Sequence, residues 1–445
     1  MKNVNPPVRF SFYSISLLIL LAAFMVMAGC KSADKKAEHL TFAFGPDDAG
    51  TVQELIDVFN NQYKGEIKVD WVVAPRSTDE FYQQVKNDFA ADEPGMDVIA
   101  TDVIWTSALA SQGWAADISK EFFAAYSPEE FVPATMNSVS YQFRIWGVPW
   151  YTDAGILFYR KDLLKKHGYE YPPTTWEELT TVSKDIMKKE AMPYGYVFQG
   201  ADYEGGVTNA CEFIWAAGGS ILMGDLSVTG TVQGLEPEII TINSPEAMTG
   251  LETVNRIINQ GIVPENIHEY KELEALDAFM SGQSVFMRSW TSAHGNFLQE
   301  NSKLSADQVG LTPLPSLTND LPSYSCLGGW NFVVNARISE EKKAAAMQFI
   351  QFMTSEKSQQ YRLVKGGALP TRQAFYADKN LMAEAPVLEL ATQVLPICRE
   401  RPKSPKYMEF SPVIATAFNR LLKKEYNPGE VMLAVSDELQ VIMDK

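Results

Sequence analysis

Polar and aromatic side chains occur together at three places in the chain: residues 101–105, residues 151–153, and the paired segments 289–290 and 327–330. Carboxylates accept strong hydrogen bonds, and the flat faces of aromatic rings pack against C–H groups. A sugar has hydroxyls along its edges and C–H groups on its faces. This combination of residue types is therefore suited to non-covalent carbohydrate binding, for which no covalent chemistry is needed.

Each place also has a purely structural interpretation. Asp102 follows a predicted strand and could be the N-cap of the next helix. Asp153 could stabilise a hinge instead of contacting a ligand. Trp290 and Trp330 could be core residues, because aromatic side chains supply much of the apolar area that a core buries.

The amino-terminal part of the chain predicts a parallel sheet. Residues 39–111 give the pattern of strand, helix, strand, helix, strand, helix, with strands at 39–44, 67–73 and 96–101. Such alternation is typical of strands joined by crossover helices. Ligands of these sheets bind beyond the carboxyl ends of the strands, where Asp48 and Asp102 lie.

A second α/β unit is predicted after residue 150. The apolar and aromatic run 155–160 predicts a buried strand. Thr174 and Thr175 before Glu177 and Glu178 form a doubled capping-box signal, which predicts a helix through residue 189.

The chain is expected to pass between the two units more than once, near residues 150–155, 286–292 and 325–331. Several parallel connections would form a hinge that lets two lobes close on a ligand between them.

The amino terminus has the pattern of an export signal. Lys2 and Arg9 precede an uncharged, largely apolar stretch, which ends in Ala28-Gly29 before Cys30. We expect residues 1–29 to be a signal peptide and residues 30–38 a tether. An uncleaved membrane anchor is the alternative, but it leaves Cys30 unexplained.

The charge and cysteine content exclude some classes of protein. The formal net charge is −17, and it becomes −19 once Lys2 and Arg9 are removed. Such an acidic chain is a poor partner for nucleic acid or anionic lipid. The spacing of the cysteines beyond Cys30 does not match metal ligands, so we expect neither a metal nor a cofactor.

Residues 147–164, GVPWYTDAGILFYRKDLL, resemble the first interlobe crossing of extracellular sugar-binding proteins of ABC importers. Within that family they are most similar to the trehalose/maltose-binding lipoprotein branch. The resemblance extends over residues 40–415. It implies a periplasmic-binding-protein-like α/β fold: two α/β lobes joined by a multi-crossing hinge, with the ligand cleft between them.

The resemblance also implies roles for single residues. Asp102 would hydrogen-bond sugar hydroxyls, and Tyr151 with Asp153 would match a Tyr-x-Asp pair at the hinge. Trp290 and Trp330 would stack on sugar rings. The small pair before Cys30 resembles a lipobox, which implies lipidation at Cys30.

Shorter matches to the family imply ligand contacts for further residues. Glu400–Pro405 resembles an Ala-Arg-Pro-x-x-Pro run whose arginine, Arg401, would reach the ligand from the second lobe; Arg399 is close enough to be confused with it. Tyr203 and Glu204 resemble a ligand-facing loop, and Asp48 matches a polar contact after the first strand.

Gly328 and Gly329 would allow the backbone to approach the ligand closely. The family branch often has an aromatic residue two positions after its first tryptophan. This chain has Ser292 there, which leaves the identity of the sugar open.

These inferences predict a first lobe of residues 39–150 and 291–327 and a second lobe of residues 151–290 and 328–445. They predict a monomeric, extracytoplasmic, lipid-anchored receptor without enzymatic activity. It would bind an oligosaccharide, a disaccharide of the trehalose or maltose type, and deliver it to the transmembrane subunits of an ABC permease. The alternatives are a secreted glycoside-acting enzyme, with Asp102 and Asp153 as an acidic pair, and a receptor that feeds a signalling partner.

Overall fold

The structure is a computed structural model that describes residues 37–223, 239–298 and 302–445. The predicted signal peptide, Cys30 and most of the tether lie outside the described residues. Among those described, no helix is both long and apolar enough to cross a lipid bilayer.

The described residues form twelve strands and sixteen helices, besides short 3-10 segments. The strands are β1 Glu38–Phe44, β2 Ile67–Val73, β3 Val98–Asp102, β4 Ser140–Tyr141, β5 Arg144–Ile145, β6 Val148–Arg160, β7 Tyr194–Val197, β8 Ser284–Trp290, β9 Val309–Thr312, β10 Ser325–Val334, β11 Leu369–Pro370 and β12 Cys398–Arg399.

The helices lie mainly on the two faces of the sheet. They are α1 Thr51–Gln62, α2 Thr78–Ala90, α3 Thr106–Ser111, α4 Ser119–Ala125, α5 Pro133–Val139, α6 Lys161–Lys166, α7 Trp176–Glu190, α8 Glu204–Ala216, α9 Pro245–Asn259, α10 Glu272–Met280, α11 Glu340–Met353, α12 Glu356–Gly366, α13 Lys379–Glu384, α14 Pro386–Val394, α15 Tyr407–Leu422 and α16 Pro428–Met443.

The predicted amino-terminal unit is confirmed. Strand β1 pairs in parallel with both β2 and β3. Helix α1 packs on them because Val52, Leu55, Ile56 and Phe59 recur at helical spacing and are all buried. Residues 103–105 form a turn after β3, and helix α3 begins at Thr106.

The predicted capping box of α7 is also present. The N–H of Glu178 donates to Thr175 Oγ1 at 3.2 Å, and the N–H of Thr175 donates to Glu178 Oε2 at 3.3 Å. These bonds satisfy backbone donors that have no partner within the first helical turn, so they define where α7 begins.

Two long strands connect the halves of the main sheet, whose order is β2-β1-β3-β10-β6-β8-β7. Strand β10 runs antiparallel to both β3 and β6. The first part of β6 pairs with β10, and residues 155–160 pair with β8 and β9. A single strand therefore extends from one half of the molecule into the other.

Separate hydrophobic cores define two lobes. In the first lobe, the ring of Phe42 lies 5.9 Å from Trp150 and 5.4 Å from each of Phe332 and Phe349. In the second lobe, one side of β6 and β8 packs against α7, α8, α9, α15 and α16. Its opposite side packs against α10 and α14.

The division between these cores differs from the predicted one. Val309, Leu314 and Leu327 belong to second-lobe cores, although residues 291–327 were assigned to the first lobe. Phe332 and residues 345–353 belong to the first-lobe core, although they were assigned to the second. The position of the crossing in β10 was predicted, but its direction was not, because β10 is buried at every position except Trp330 and its pattern is the same in either lobe.

Phe42 tests the first-lobe core. We expect Phe42→Ala to lower the free energy of unfolding by about 3–5 kcal/mol, because the truncation leaves a cavity among three other rings. Denaturant unfolding followed by circular dichroism measures it. Phe123, which is 61% exposed, provides the control, and Phe123→Ala should change stability by no more than about 0.5 kcal/mol. Equal effects of the two substitutions would contradict this account of the core.

Candidate functional site

A cavity of about 530 Å³ lies between the two lobes. Its lining includes residues from β1, β3, β6, β8 and β10 and from the starts of α8 and α10. All of the residues predicted from the sequence to bind a ligand line it: Asp48, Asp102, Tyr151, Asp153, Tyr203, Glu204, Trp290, Gly328, Gly329, Trp330 and Arg401. Residues as far apart in the chain as Asp48 and Arg401, which are separated by 353 positions, thus line the same cavity. Their contact with a ligand remains a prediction.

Trp330 lies at the centre of three neighbouring strands. In the register of the sheet it is opposite Asp102 of β3 on one side and Tyr151 of β6 on the other. Its ring lies 5.3 Å from Phe44 and 6.0 Å from Phe81. These contacts position a partly exposed indole against the cavity.

The packing of the protein itself gives a further reason for glycine at positions 328 and 329, besides the predicted approach to a ligand. Gly329 has a φ of +122°, and a Cβ on it would lie 2.5 Å from the carbonyl oxygen of Tyr151. A Cβ on Gly328 would lie 2.7 Å from the ring of Trp290. The two glycines therefore permit close packing within the protein, of β10 on β6 and of Trp290 on β10.

Trp290 is supported by a buried ion pair that the sequence analysis did not identify. The guanidinium carbon of Arg288 lies 4.2 Å from the centre of the Trp290 ring. Arg288 donates to both oxygens of Glu212, at 2.8 and 2.6 Å, and to Gln199 Oε1 at 3.1 Å. One face of Trp290 is thus covered, and its orientation depends on this pair.

Arg401 connects the lobes. Its Nη2 donates to Asp102 Oδ1 of the first lobe at 2.9 Å, and its Nη1 donates to Glu204 Oε1 of the second lobe at 2.6 Å. Glu204 also accepts hydrogen bonds from Tyr407, at 2.6 Å, and from Ser411. Burial raises the pKa of Glu204, and Arg401 opposes that rise.

Asp153 accepts four hydrogen bonds from neighbouring residues of the protein. It accepts from the N–H of Ala154 at 3.1 Å, from the N–H of Ser292 at 3.2 Å and from the Ser292 hydroxyl at 2.6 Å, and also from the Thr291 hydroxyl. Burial raises the pKa of Asp153, which these donors oppose. Asp153 therefore joins β6 to the end of β8, as the hinge-stabilising interpretation expects.

Asp48 and Tyr203 are the remaining predicted residues of the cavity lining. Asp48 accepts from Arg76 at 2.8 and 3.0 Å, and both side chains are largely exposed. Tyr203 is buried, which raises the pKa of its hydroxyl, and Lys271 Nζ lies 5.1 Å from the centre of its ring. Arg399, the neighbour confused with Arg401 in the sequence, packs 3.2 Å from the ring centre of Tyr324.

Arg362 of α12 also lines the cavity and was not predicted. Its guanidinium carbon lies 4.0 Å from the centre of the Trp150 ring and 4.6 Å from that of Tyr151. The sequence offers no signal for it, because an arginine within an amphipathic helix is usually on the solvated face.

No cluster of three or more potential metal ligands occurs in the part of the chain that the structure describes.

The lobes, the shared strands and the interlobe cavity define the periplasmic-binding-protein class of α/β fold. A family model described as bacterial extracellular solute-binding protein matches residues 45–360. The chain belongs to this family.

Individual relatives agree with that assignment. A probable ABC transporter-binding protein of Deinococcus radiodurans is 29% identical over 429 residues, which cover 94% of this chain and 97% of its own. The structure of maltose-bound T. maritima MalE3 is 32% identical, covers 91% of this chain and 100% of its own, and superposes with a TM-score of 0.83. A Thermotoga lettingae solute-binding protein bound with α-D-tagatose is 23% identical, covers 92% and 100%, and has a TM-score of 0.80.

The Arg288–Glu212 pair can be tested by removing one charge. We expect Glu212→Gln to lower the free energy of unfolding by about 3–5 kcal/mol, because Arg288 would stay buried without its counter-ion. Guanidinium unfolding monitored by tryptophan fluorescence reports the change. Glu54→Gln breaks an exposed ion pair with Lys365 and should have little effect. A Glu212→Gln protein as stable as the Glu54→Gln control would show that the buried pair does not support the site.

Proposed function

We propose that this protein is a sugar-binding receptor of an ABC importer and that its ligand is a disaccharide of the trehalose or maltose type. The observation that carries the proposal is the cavity. Its lining combines the indoles of Trp290 and Trp330 with carboxylates and guanidinium groups, and its volume of about 530 Å³ is within the range of small-molecule sites.

The two tryptophans would supply the apolar part of the binding energy. Each is fixed by contacts on its protein side, Trp290 by Arg288 and Trp330 by Phe44 and Phe81. Little conformational entropy would be lost when a sugar ring stacks on them, which favours affinity. The maltose-bound relative from T. maritima supports this ligand class.

Arg401 would couple binding to lobe closure. It bonds to Asp102 across the cavity and to Glu204 within the second lobe, so this contact requires the lobes to be close together. A ligand that touches both lobes would bind the closed form better and shift the population towards it.

A receptor of this kind must lie outside the cell membrane and contact a permease. We infer that the chain is anchored through a lipid on Cys30 on the outer side of the membrane, acts as a monomer and passes its sugar to the transmembrane subunits of an ABC permease. The family and the Deinococcus radiodurans relative support the transporter assignment.

We further infer that the protein is not an enzyme. Asp102, one candidate for a catalytic acid, is ion-paired with Arg401, and Asp153 is surrounded by hydrogen-bond donors. Asp102 and Asp153 therefore do not form the pair of available carboxyl groups that glycosidases place on either side of the glycosidic bond.

Calorimetry on residues 31–445, which contain every described element, tests the proposal. We would titrate trehalose, maltose, sucrose, glucosylglycerol and glucose, and analyse each mixture for hydrolysis. We expect one disaccharide to bind with a Kd near or below about 1 μM, or about −8.2 kcal/mol, and to remain intact.

Tryptophan variants locate the site. Trp330→Ala should weaken binding by about 30-fold or more, the loss of about 2 kcal/mol that defines a binding hot spot. Trp146, whose Nε1 donates to the Tyr141 carbonyl, lies outside the cavity, and Trp146→Ala should keep the wild-type Kd. Failure of every sugar to bind would reject the proposal, and cleavage of the sugar would favour the enzyme.

A further inference from the structure

Arg362 is a buried cation in the cavity wall. Its side chain is only 5% exposed. The rings of Trp150 and Tyr151 lie against its guanidinium at 4.0 and 4.6 Å. These two aromatic residues hold the charged group in place from the protein side.

Two of the three side-chain nitrogens of Arg362 have unused hydrogen-bonding capacity. Its Nε and Nη1 are buried and have no acceptor among the described residues. The carboxylate that acts on it, Asp47, already accepts from the N–H of Val52 at 2.7 Å and from the Thr51 hydroxyl at 2.8 Å. Burial lowers the pKa of Arg362, and the attraction of Tyr151 and Asp47 offsets this only in part.

Other arginines in or beside the cavity donate to carboxylates, although Arg401 Nε is also buried without an acceptor among the described residues. Arg401 donates to Asp102 and Glu204, Arg288 to Glu212, and Arg76 to Asp48. A buried guanidinium that lacks acceptors reduces stability. Its presence at a cavity therefore indicates that the acceptors come from a bound molecule.

The sheet register places Arg362 and Arg401 on opposite sides of Trp330. Arg401 bonds to Asp102, on the strand to one side, and Arg362 stacks on Tyr151, on the strand to the other. Two strand spacings separate Asp102 from Tyr151, on the order of 10 Å. A ligand that stacks on Trp330 would therefore have one guanidinium group towards each of its ends.

We propose that Arg362 is a ligand-contacting residue that donates to a pair of adjacent hydroxyl oxygens on the second unit of a neutral oligosaccharide. This inference rests on the proposed function and defines its ligand further. The planar guanidinium presents parallel N–H groups, which suit two neighbouring oxygens. Asp47, Asp153 and Glu272 also line the cavity, and their negative charge disfavours an acidic sugar.

Arg362→Met separates binding from folding. Methionine keeps an unbranched side chain against Trp150 but removes the charge and all donors. We expect the disaccharide that binds the wild type to bind this variant about 10- to 100-fold more weakly. The melting temperature without ligand should stay the same or rise, because an unsatisfied buried charge is removed. Calorimetry and thermal unfolding of residues 31–445 measure the two effects.

Arg372 provides a matched control. It also stacks on aromatic rings, 5.3 Å from Phe131 and 5.7 Å from Tyr126, but its Nε donates to the Thr354 carbonyl at 3.2 Å and it pairs with Glu130. It does not line the cavity. Arg372→Met should lower the melting temperature and leave the sugar affinity within twofold of the wild type.

Arg362→Lys keeps the charge but cannot donate to two oxygens from one plane. We expect at least fivefold weaker binding, and this variant decides the matter if Arg362→Met does not fold. A panel of monodeoxy analogues of the bound sugar should show one hydroxyl pair whose removal weakens binding to the wild type but not to the variant.

The outcomes separate this inference from the proposed function. Wild-type affinity in the Arg362→Lys protein, or in a folded Arg362→Met protein, overturns the role of Arg362 while the receptor stands. Tighter wild-type binding of a disaccharide with a uronic acid unit, dependent on Arg362, overturns the neutral ligand. A wild-type protein that binds no sugar rejects the proposed function and this inference with it.

Discussion

The antiparallel pairing of β6 and β10 is the constraint on which the rest of the structure depends. Both strands pass from one lobe to the other, and together they carry Tyr151, Asp153, Gly328, Gly329 and Trp330. A shift of one residue in their register would move every side chain to the opposite face. The two backbones approach closely at Gly329, and the register shifts just after Trp330, which lines the cavity.

Buried ion pairs around the cavity also hold its surrounding elements together. Buried ions in a low-dielectric environment need partners, and here the partners join separate elements. Arg401 links the first lobe to the second, whereas Arg288 and Glu212 fix the ring of Trp290 within the second. The charged residues around the cavity thus hold its walls in position.

Two carboxylates show how a residue can serve a site through position. Glu204 accepts hydrogen bonds from Arg401, Tyr407 and Ser411. Asp153 accepts from the N–H and the hydroxyl of Ser292, which follows β8. Each of their oxygens accepts at least one hydrogen bond within the protein. Arg362, in contrast, has two buried donors, Nε and Nη1, without acceptors among the described residues.

The sequence by itself determined the local elements and the membership of the site. Periodicity and capping signals are properties of neighbouring residues, so α1, α7 and the unit β1–β3 followed from them. The match of short motifs likewise identified residues that meet at one cavity. Only the tertiary structure decided which lobe receives residues 331–353, why Gly329 is needed, that Arg362 lines the cavity and that Arg288 packs against Trp290. These depend on contacts between residues that are distant in the chain, and a buried strand or an arginine in an amphipathic helix has the same local pattern whatever it packs against.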